Sequence, residues 1–229
     1  MEVKDLYTNR FAGDKTLLRK NEIWKTLCKH FFQKHIPADS VLIDIAAGYC
    51  EFVNNISAKE KIVFDLNPDT EKFAAQDVKV HIDSFFNMQK YMGDRKADIV
   101  FASNVLEHLD NKEHVIAAIK ECAAVLRDPE GNAKIGGRLL ILQPNIKYTK
   151  GAYWDFIDHK VPLTDQALVE AGEMCGLKTV VNIPKFLPYT TKSKLPKHPF
   201  LIKLYLKVLP IAGFFMGQQS FLVLEKTDV

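Results

Sequence analysis

The chain has 229 residues, of which 47% are hydrophobic and 26% are charged, and its formal net charge is +3. This composition is typical of a soluble globular protein and excludes a low-complexity chain. The four cysteines are scattered without a C-x-x-C pair, and the N-terminal segment has no apolar signal core. We therefore expect a cytoplasmic protein without disulfides or a zinc site.

Strands and helices alternate along the predicted chain. A helix is predicted over residues 15–36, where Trp24, Leu27, Cys28 and Phe31 recur at helical spacing. Apolar runs predict seven strands, at 40–46, 61–66, 78–82, 97–103, 137–143, 177–183 and 220–226. Further helices are predicted from about Glu51, from Pro68, over 110–126 and over 164–176. The alternation predicts an α/β fold, with a mostly parallel sheet and helices on both of its faces.

Two helix ends carry local signals. Asp110 and Glu113 have capping-box spacing and predict the start of the helix over 110–126. Gly176 is placed as the C-terminal stop of the helix over 164–176.

Polar and small residues follow the predicted strands. In a parallel α/β sheet the ligand lies at the carboxyl ends of the strands, so these residues should converge on one crevice. They are Ala46–Gly48, Asp65–Asn67, Asp83–Ser84, Ser103–Asn104 and Gln143–Asn145.

The loop after the first strand indicates which nucleotide binds. Asp65 lies 21 residues after Asp44, the spacing of an acid that binds ribose hydroxyls. The dinucleotide pattern G-x-G-x-x-G would place Ala46, Gly48 and Glu51 at its glycine positions. A carboxylate at a helix N-terminus repels a pyrophosphate, and no P-loop is present. A nucleoside without phosphates fits better, and S-adenosylmethionine is one.

These residues resemble the class I S-adenosylmethionine-dependent methyltransferases. The family's D-x-G-x-G-x-G motif corresponds to Asp44, Ala46, Gly48 and Cys50, and "ADIVFASNVLEHL" and "GGRLLILQPN" resemble its fourth- and fifth-strand regions. The resemblance covers about residues 40–183 and the last strand. It implies a Rossmann-like, doubly wound, seven-stranded sheet with an antiparallel last strand, and S-adenosyl-L-homocysteine as product. The implied cofactor-binding residues are Asp44, Ala46, Ala47, Gly48, Asp65, Leu66, Asn67, Asp83, Ser84, Ser103 and Asn104.

A single methyltransferase domain is predicted over residues 1–229. It would comprise an N-terminal helical cap (1–38), a cofactor-binding core (39–183) and a basic, apolar insertion (184–218) before the last strand. In the cap, Arg10 close to Tyr7 is a candidate partner for the cofactor carboxylate, with a plain surface role as the alternative.

An alcohol acceptor needs a general base. We predict His159 as this base and Asp158 or Asp155 as the acid that orients its ring, because all three lie in a long loop after strand five. His108, which follows strand four, is the alternative base. No metal is predicted, because nothing else supplies ligands to match the Asp155, Asp158 and His159 cluster.

The last quarter of the chain is basic. Residues 177–224 contain seven lysines and no acid, which indicates either a solvated face or a surface for an anionic partner. No uninterrupted apolar run reaches the length of a membrane span. Residues 199–216 hold an apolar helix face of Phe200, Leu201, Leu204 and Val208, predicted either to pack on the sheet or to make a peripheral membrane contact.

The predicted function is O-methylation of a small-molecule or glycan-type hydroxyl, including one carried on a lipid. The sequence "YWDFIDHKVPLTDQALVEAGEMCGL" also resembles bacterial methyltransferases associated with surface glycans. Two alternatives stay open: a non-catalytic S-adenosylmethionine-binding module and a nucleotide-sugar oxidoreductase. No nucleic-acid partner is expected, because "SNVLEH" stands where an Asp/Asn-Pro-Pro-Tyr motif would follow strand four. The oligomeric state is not indicated.

Overall fold

The computed structural model of the chain describes residues 14–130, 135–188 and 198–227. Within these ranges seven strands form one sheet, in the order β3-β2-β1-β4-β5-β7-β6. The strands are β1 Val41–Ile45, β2 Glu60–Asp65, β3 Val78–Ile82, β4 Ile99–Ser103, β5 Arg138–Pro144, β6 Leu177–Leu187 and β7 Gln219–Lys226. Among these strands β7 runs antiparallel to the other six, which are parallel to one another. The predicted doubly wound sheet with an antiparallel last strand is confirmed.

The helices lie around this sheet. They are α1 Asp14–His30, α2 Thr70–Phe73, α3 Met88–Met92, α4 Lys112–Val125, α5 Ile146–Thr149, α6 Asp165–Met174, α7 Pro199–Lys207 and α8 Leu209–Met216. Short 3-10 turns cover Phe32–Lys34, Phe85–Asn87, Leu106–His108 and Lys150–Asp155. Tyr7 and Arg10 lie outside the described residues.

Two apolar cores cover the two faces of the sheet. Alternate residues of a strand point to opposite faces, so Ile43 joins one core and Leu42 joins the other. The first core contains the apolar sides of α3, α4 and α6. The second contains Leu27 and Cys28 on the buried face of α1, Phe31 just after its last residue, and the inner sides of α7 and α8. Helices therefore pack on both faces.

Three predicted elements differ in the structure. The helix expected from Glu51 is wrong, because residues 51–55 form turns in which Asn55 donates to the Glu51 carbonyl at 2.8 Å. Helix α1 ends at His30 rather than at residue 36. The predicted cap Asp110 is also wrong, since Asn111 accepts the His114 N–H and caps α4. Gly176 has a φ of 73° after α6, which confirms its role as a stop.

The insertion that carries α7 and α8 begins and ends at the carboxyl edge of the sheet. Because β7 runs antiparallel, its first residue, Gln219, pairs with Pro144 at the end of β5 and with Leu187 at the end of β6. The insertion therefore emerges at the same edge as the predicted ligand crevice.

Candidate functional site

The loop after β1 has the backbone conformation of a glycine-rich loop, although it contains only one glycine. Ala46, Gly48 and Cys50 have φ values of 54°, 57° and 59°. These are the three positions at which the motif has glycine, and a left-handed conformation costs a non-glycine residue roughly 1–2 kcal/mol. The surrounding contacts outweigh this cost, since Gly48 N–H donates to Asp65 at 2.7 Å and Cys50 N–H donates to the Ala47 carbonyl at 2.9 Å. The loop therefore holds left-handed conformations at all three motif positions, although only one of them is glycine.

Asp65 joins the ends of β1 and β2. Its two carboxylate oxygens accept the N–H groups of Gly48 and Asn67, at 2.7 and 2.8 Å. Burial raises the pKa of Asp65, and the backbone hydrogen bonds oppose that rise. Each oxygen keeps a further lone pair for a ligand. Next to it the apolar side chain of Leu66 is 72% exposed, as expected of a surface that a flat ligand would cover.

Acidic side chains surround this loop. Asp44 is buried beneath it, and its pKa is raised well above the ordinary value by burial and then by the charges of Asp65 and Glu51. Glu51 is also buried and lies 3.0 Å from the ammonium group of Lys20 on α1. Although Glu51 does not start a helix, its carboxylate remains beside the loop. The crevice therefore favours a cationic ligand over a pyrophosphate.

The ends of β3 and β4 complete the rim. Asp83 accepts hydrogen bonds from Tyr91 at 2.7 Å and Asn87 at 2.9 Å, and these bonds lower its pKa. After β4, the Asn104 amide donates to Ser103 at 3.0 Å. Since β3, β2, β1 and β4 are consecutive neighbours, their ends span about 15 Å. The structure thus places the predicted cofactor residues along one edge.

Known structures match this architecture over nearly the whole chain. An S-adenosylmethionine-dependent methyltransferase from Archaeoglobus fulgidus has a TM-score of 0.66 at 19% identity, with 98% of this chain and 100% of that chain covered. The N-methyltransferase NodS from Bradyrhizobium japonicum, solved with S-adenosyl-L-homocysteine, has a TM-score of 0.57 at 11% identity, with 98% of both chains covered. The YcgJ protein of Bacillus subtilis has a TM-score of 0.62 at 13% identity, covering 89% and 99%. Neither the family models nor the curated proteins gave a match.

The chain has the class I methyltransferase fold. This assignment concerns the architecture, which the solved structures share with the chain. In this methyltransferase fold, the carboxyl ends of β1, β2 and β3 carry the loop after β1, Asp65 and Asp83. The ends of β4 and β5 carry a second group of polar side chains, next to that crevice.

Two histidines and two acids form this second group. His108 ends the 3-10 turn after β4, and its Nδ1 lies 3.0 Å from the Asp158 carbonyl oxygen and 3.5 Å from the Asp158 carboxylate. Its Nε2 lies 3.9 Å from the carboxylate of Glu107. The ring of His159 is 5.0 Å from that of His108. Both predicted catalytic residues, His159 and Asp158, therefore lie beside the alternative base.

Glu107 anchors the loop that carries His159. Its side chain is 1% exposed and accepts a hydrogen bond from the Gln143 amide at 2.9 Å. Its carbonyl oxygen accepts the N–H groups of Lys160 and Val161, at 2.8 and 3.1 Å. Burial raises the pKa of Glu107. Sequence reasoning missed Glu107, although it lies in the Glu-His-Leu stretch that carried the family resemblance.

His159 packs among aromatic rings. It is 9% exposed, stacks on Phe156 at 5.1 Å and lies 4.7 Å from the Tyr153 ring. One ligand atom from each of Glu107, His108 and His159 lies within 4.8 Å of the other two. These three side chains could hold a metal ion, whereas the exposed Asp155 is not among them. The arrangement also suits proton transfer, because an acid orients a histidine ring.

Proposed function

We propose that this protein binds S-adenosylmethionine in the crevice at the ends of β1–β4 and transfers its methyl group to a hydroxyl. The observation that carries the proposal is Asp65, held by the backbone N–H groups of Gly48 and Asn67 with lone pairs left for ribose hydroxyls. The solved methyltransferases of the same fold support it, one of them in complex with S-adenosyl-L-homocysteine.

The side chains present fit this cofactor in charge and in polarity. Asp44 and Glu51 are acidic groups near the loop, and burial and the neighbouring acids raise the pKa of Asp44, so a sulfonium or ammonium group bound there would stabilise its charged form. The exposed side chain of Leu66 provides an apolar surface for an adenine ring. Asp83, at the end of β3, provides an acceptor for the exocyclic amine.

Proton removal is assigned to His108, with Asp158 as its positioning residue. When bound, the cofactor supplies an electrophilic methyl group with a good leaving group, so alignment and a base are what the protein adds. Asp158 contacts Nδ1 of His108 and holds the ring with Nε2 toward Glu107. His159, the base predicted from the sequence, is the second candidate because its ring lies against His108.

The acceptor is proposed to be a small-molecule or glycan-type hydroxyl, including one carried on a lipid. The O- and N-methyltransferases among the matching structures support methyl transfer to small molecules by this fold. A non-catalytic S-adenosylmethionine-binding module would use the same crevice without the transfer step. Localisation in the cytoplasm remains our expectation from composition.

Calorimetric titration of the protein with S-adenosyl-L-homocysteine, and separately with NAD, tests the cofactor. We expect saturable binding of S-adenosyl-L-homocysteine and no heat of binding from NAD. The reverse result would refute the proposal in favour of an oxidoreductase. Binding of neither ligand would refute it as well.

A second experiment tests the base without knowing the acceptor. S-adenosylmethionine carries a positive sulfonium where S-adenosylhomocysteine carries a neutral thioether, so the imidazole NMR signals of a histidine near the methyl group should differ between the two complexes at one pH. We expect such a difference for His108. His114, exposed on α4, is the control and should not differ. The variants His108→Asn and His159→Asn assign the signals.

Identical His108 imidazole signals in the two complexes would remove it from the reacting centre. A difference at His159 alone would assign the base to His159. With an acceptor identified, loss of the correct base should lower turnover by roughly 10²–10⁴.

A further inference from the structure

The helix pair α7–α8 exposes a continuous apolar surface. The two helices are bent by 105° and together have the length and composition of a membrane span, although no single described helix does. Phe215 is 78% exposed and Ile211 is 68% exposed. The exposed apolar side chains of the pair are Phe200, Leu201, Leu204, Val208, Ile211, Phe214 and Phe215. We call this set the apolar surface. The sequence predicted that its first four members either pack on the sheet or contact a membrane.

The opposite side of the pair is firmly packed. Ile202, Leu206 and Leu209 contact the second core. A Cβ atom on Gly213 would clash with the carbonyl oxygen of Lys185, so α8 approaches β6 as closely as glycine allows. The apolar surface is therefore not a loosely attached core face. It is the outer side of a helix pair whose inner side is already covered.

Basic side chains border the apolar surface. Lys203 and Lys207 are exposed on α7. Helix α7 packs against α1, and at the end of α1 burial and the nearby charges of Lys203, Lys29 and Lys34 lower the pKa of His30. No acid occurs between residues 177 and 224. The surface thus combines exposed aromatic and aliphatic side chains with positive charge.

The insertion that carries the apolar surface begins and ends at the carboxyl edge of the sheet. After α8, Gln218 N–H donates to the Leu187 carbonyl and the Gln218 amide donates to the Tyr148 carbonyl, which follows β5. In the sheet order β4-β5-β7, two strand spacings place the base of the insertion about 10 Å from the end of β4. The insertion is therefore rooted at the edge of the sheet that carries the histidine group.

We propose that the α7–α8 pair is an in-plane docking surface for an anionic lipid bilayer. An apolar face bordered by lysines inserts at the boundary between headgroups and acyl chains, and the lysines attract anionic headgroups. A symmetric dimer through this surface would bring the same lysines of both copies together, with no acid from residues 177–224 to neutralise them. If the proposed function is also correct, the hydroxyl that is methylated belongs to a lipid-linked acceptor at that interface.

Vesicle sedimentation tests the docking surface independently of the chemistry. The full chain should sediment with vesicles of equal parts phosphatidylcholine and phosphatidylglycerol, weakly or not at all with phosphatidylcholine alone, and less as salt increases. Lys203→Glu with Lys207→Glu should weaken binding at least about 25-fold, since each lysine contributes roughly a factor of five. The matched control is Lys112→Glu with Lys120→Glu, which reverses the charge of two lysines exposed on α4 across the sheet. It should bind the vesicles far better than the Lys203/Lys207 variant.

A second pair of variants tests the apolar contribution. Ile211→Ser with Phe215→Ser should abolish sedimentation with the vesicles. Met174→Ser, which removes an apolar side chain that is 67% exposed on α6 on the other face, should sediment like the wild type. Circular dichroism and melting curves confirm that each variant is folded.

Three outcomes would overturn the docking proposal. In the first, wild-type protein stays in the supernatant at low salt. In the second, the variant Ile211→Ser with Phe215→Ser still sediments with the vesicles. In the third, the protein is a dimer that these substitutions dissociate, and the wild type does not bind the vesicles. The last outcome would make the apolar surface an interface between copies. Because S-adenosyl-L-homocysteine binding is measured separately by calorimetry, failure of docking is distinct from failure of the proposed function.

Discussion

Replacing Asp65 by alanine is the most direct perturbation of the cofactor site. The Asp65 carboxylate already accepts two backbone N–H groups, at 2.7 and 2.8 Å, and has lone pairs left for ribose hydroxyls. A hydrogen bond to a charged group contributes roughly 1.5–3 kcal/mol. We therefore expect the Kd for S-adenosyl-L-homocysteine to rise about 10- to 150-fold. Isothermal titration calorimetry measures this change directly.

A matched control separates binding from a general loss of acidic charge. Asp77 precedes β3 at the opposite edge of the sheet, and its carboxylate lies 2.7 Å from the ammonium group of Lys61. Asp77→Ala removes the same charge and should leave the Kd unchanged. An unchanged Kd for Asp65→Ala, with its circular dichroism spectrum intact, would show that Asp65 does not bind the ligand and would refute the reasoning from its geometry.

Two further predictions concern stability. Burial raises the pKa of Glu107 above its ordinary value of 4.5. Between the unfolded and the folded pKa, the folded state therefore holds a proton that the unfolded state has released. The free energy of unfolding of the wild type thus falls as pH rises from 4.5 through the folded pKa. Glu107→Gln should therefore stabilise the protein more at pH 8 than at pH 4, measured by urea unfolding; an equal effect at both would contradict this. Asn111→Ala should cost about 1 kcal/mol by loss of the α4 cap, whereas Asp110→Ala should cost less. Equal losses in unfolding curves would contradict the observed cap.

The sequence was sufficient to predict the sheet, because the signals involved are local. Apolar runs such as residues 41–45 are buried on both faces of a parallel sheet, and they appear as continuous hydrophobic segments. Once the strands are parallel, the residues that follow them must share an edge. This is why Asp65 and Asp83 could be assigned to one crevice before their contacts were known.

Two local predictions were wrong because side chains compete for backbone hydrogen-bonding groups. Asn55 bonds the Glu51 carbonyl within the turns that replace the expected helix, and Asn111 rather than Asp110 caps α4. Both outcomes depend on which side chain forms the hydrogen bond to the backbone group. Adjacent Asp and Asn residues have nearly the same preference for such bonds. Spacing alone therefore does not choose between Asp110 and Asn111.

Sequence alone determined the fold class, the crevice and the identity of the candidate base residues, because periodicity and strand ends are properties of short segments. Only the tertiary structure brought Gln143 to Glu107, and Asp158 to Nδ1 of His108, since these residues come from three separate segments. The structure also decided that the outer face of α7–α8 is exposed. Periodicity shows that a helix has an apolar face, but which neighbour covers that face depends on how distant parts of the chain pack.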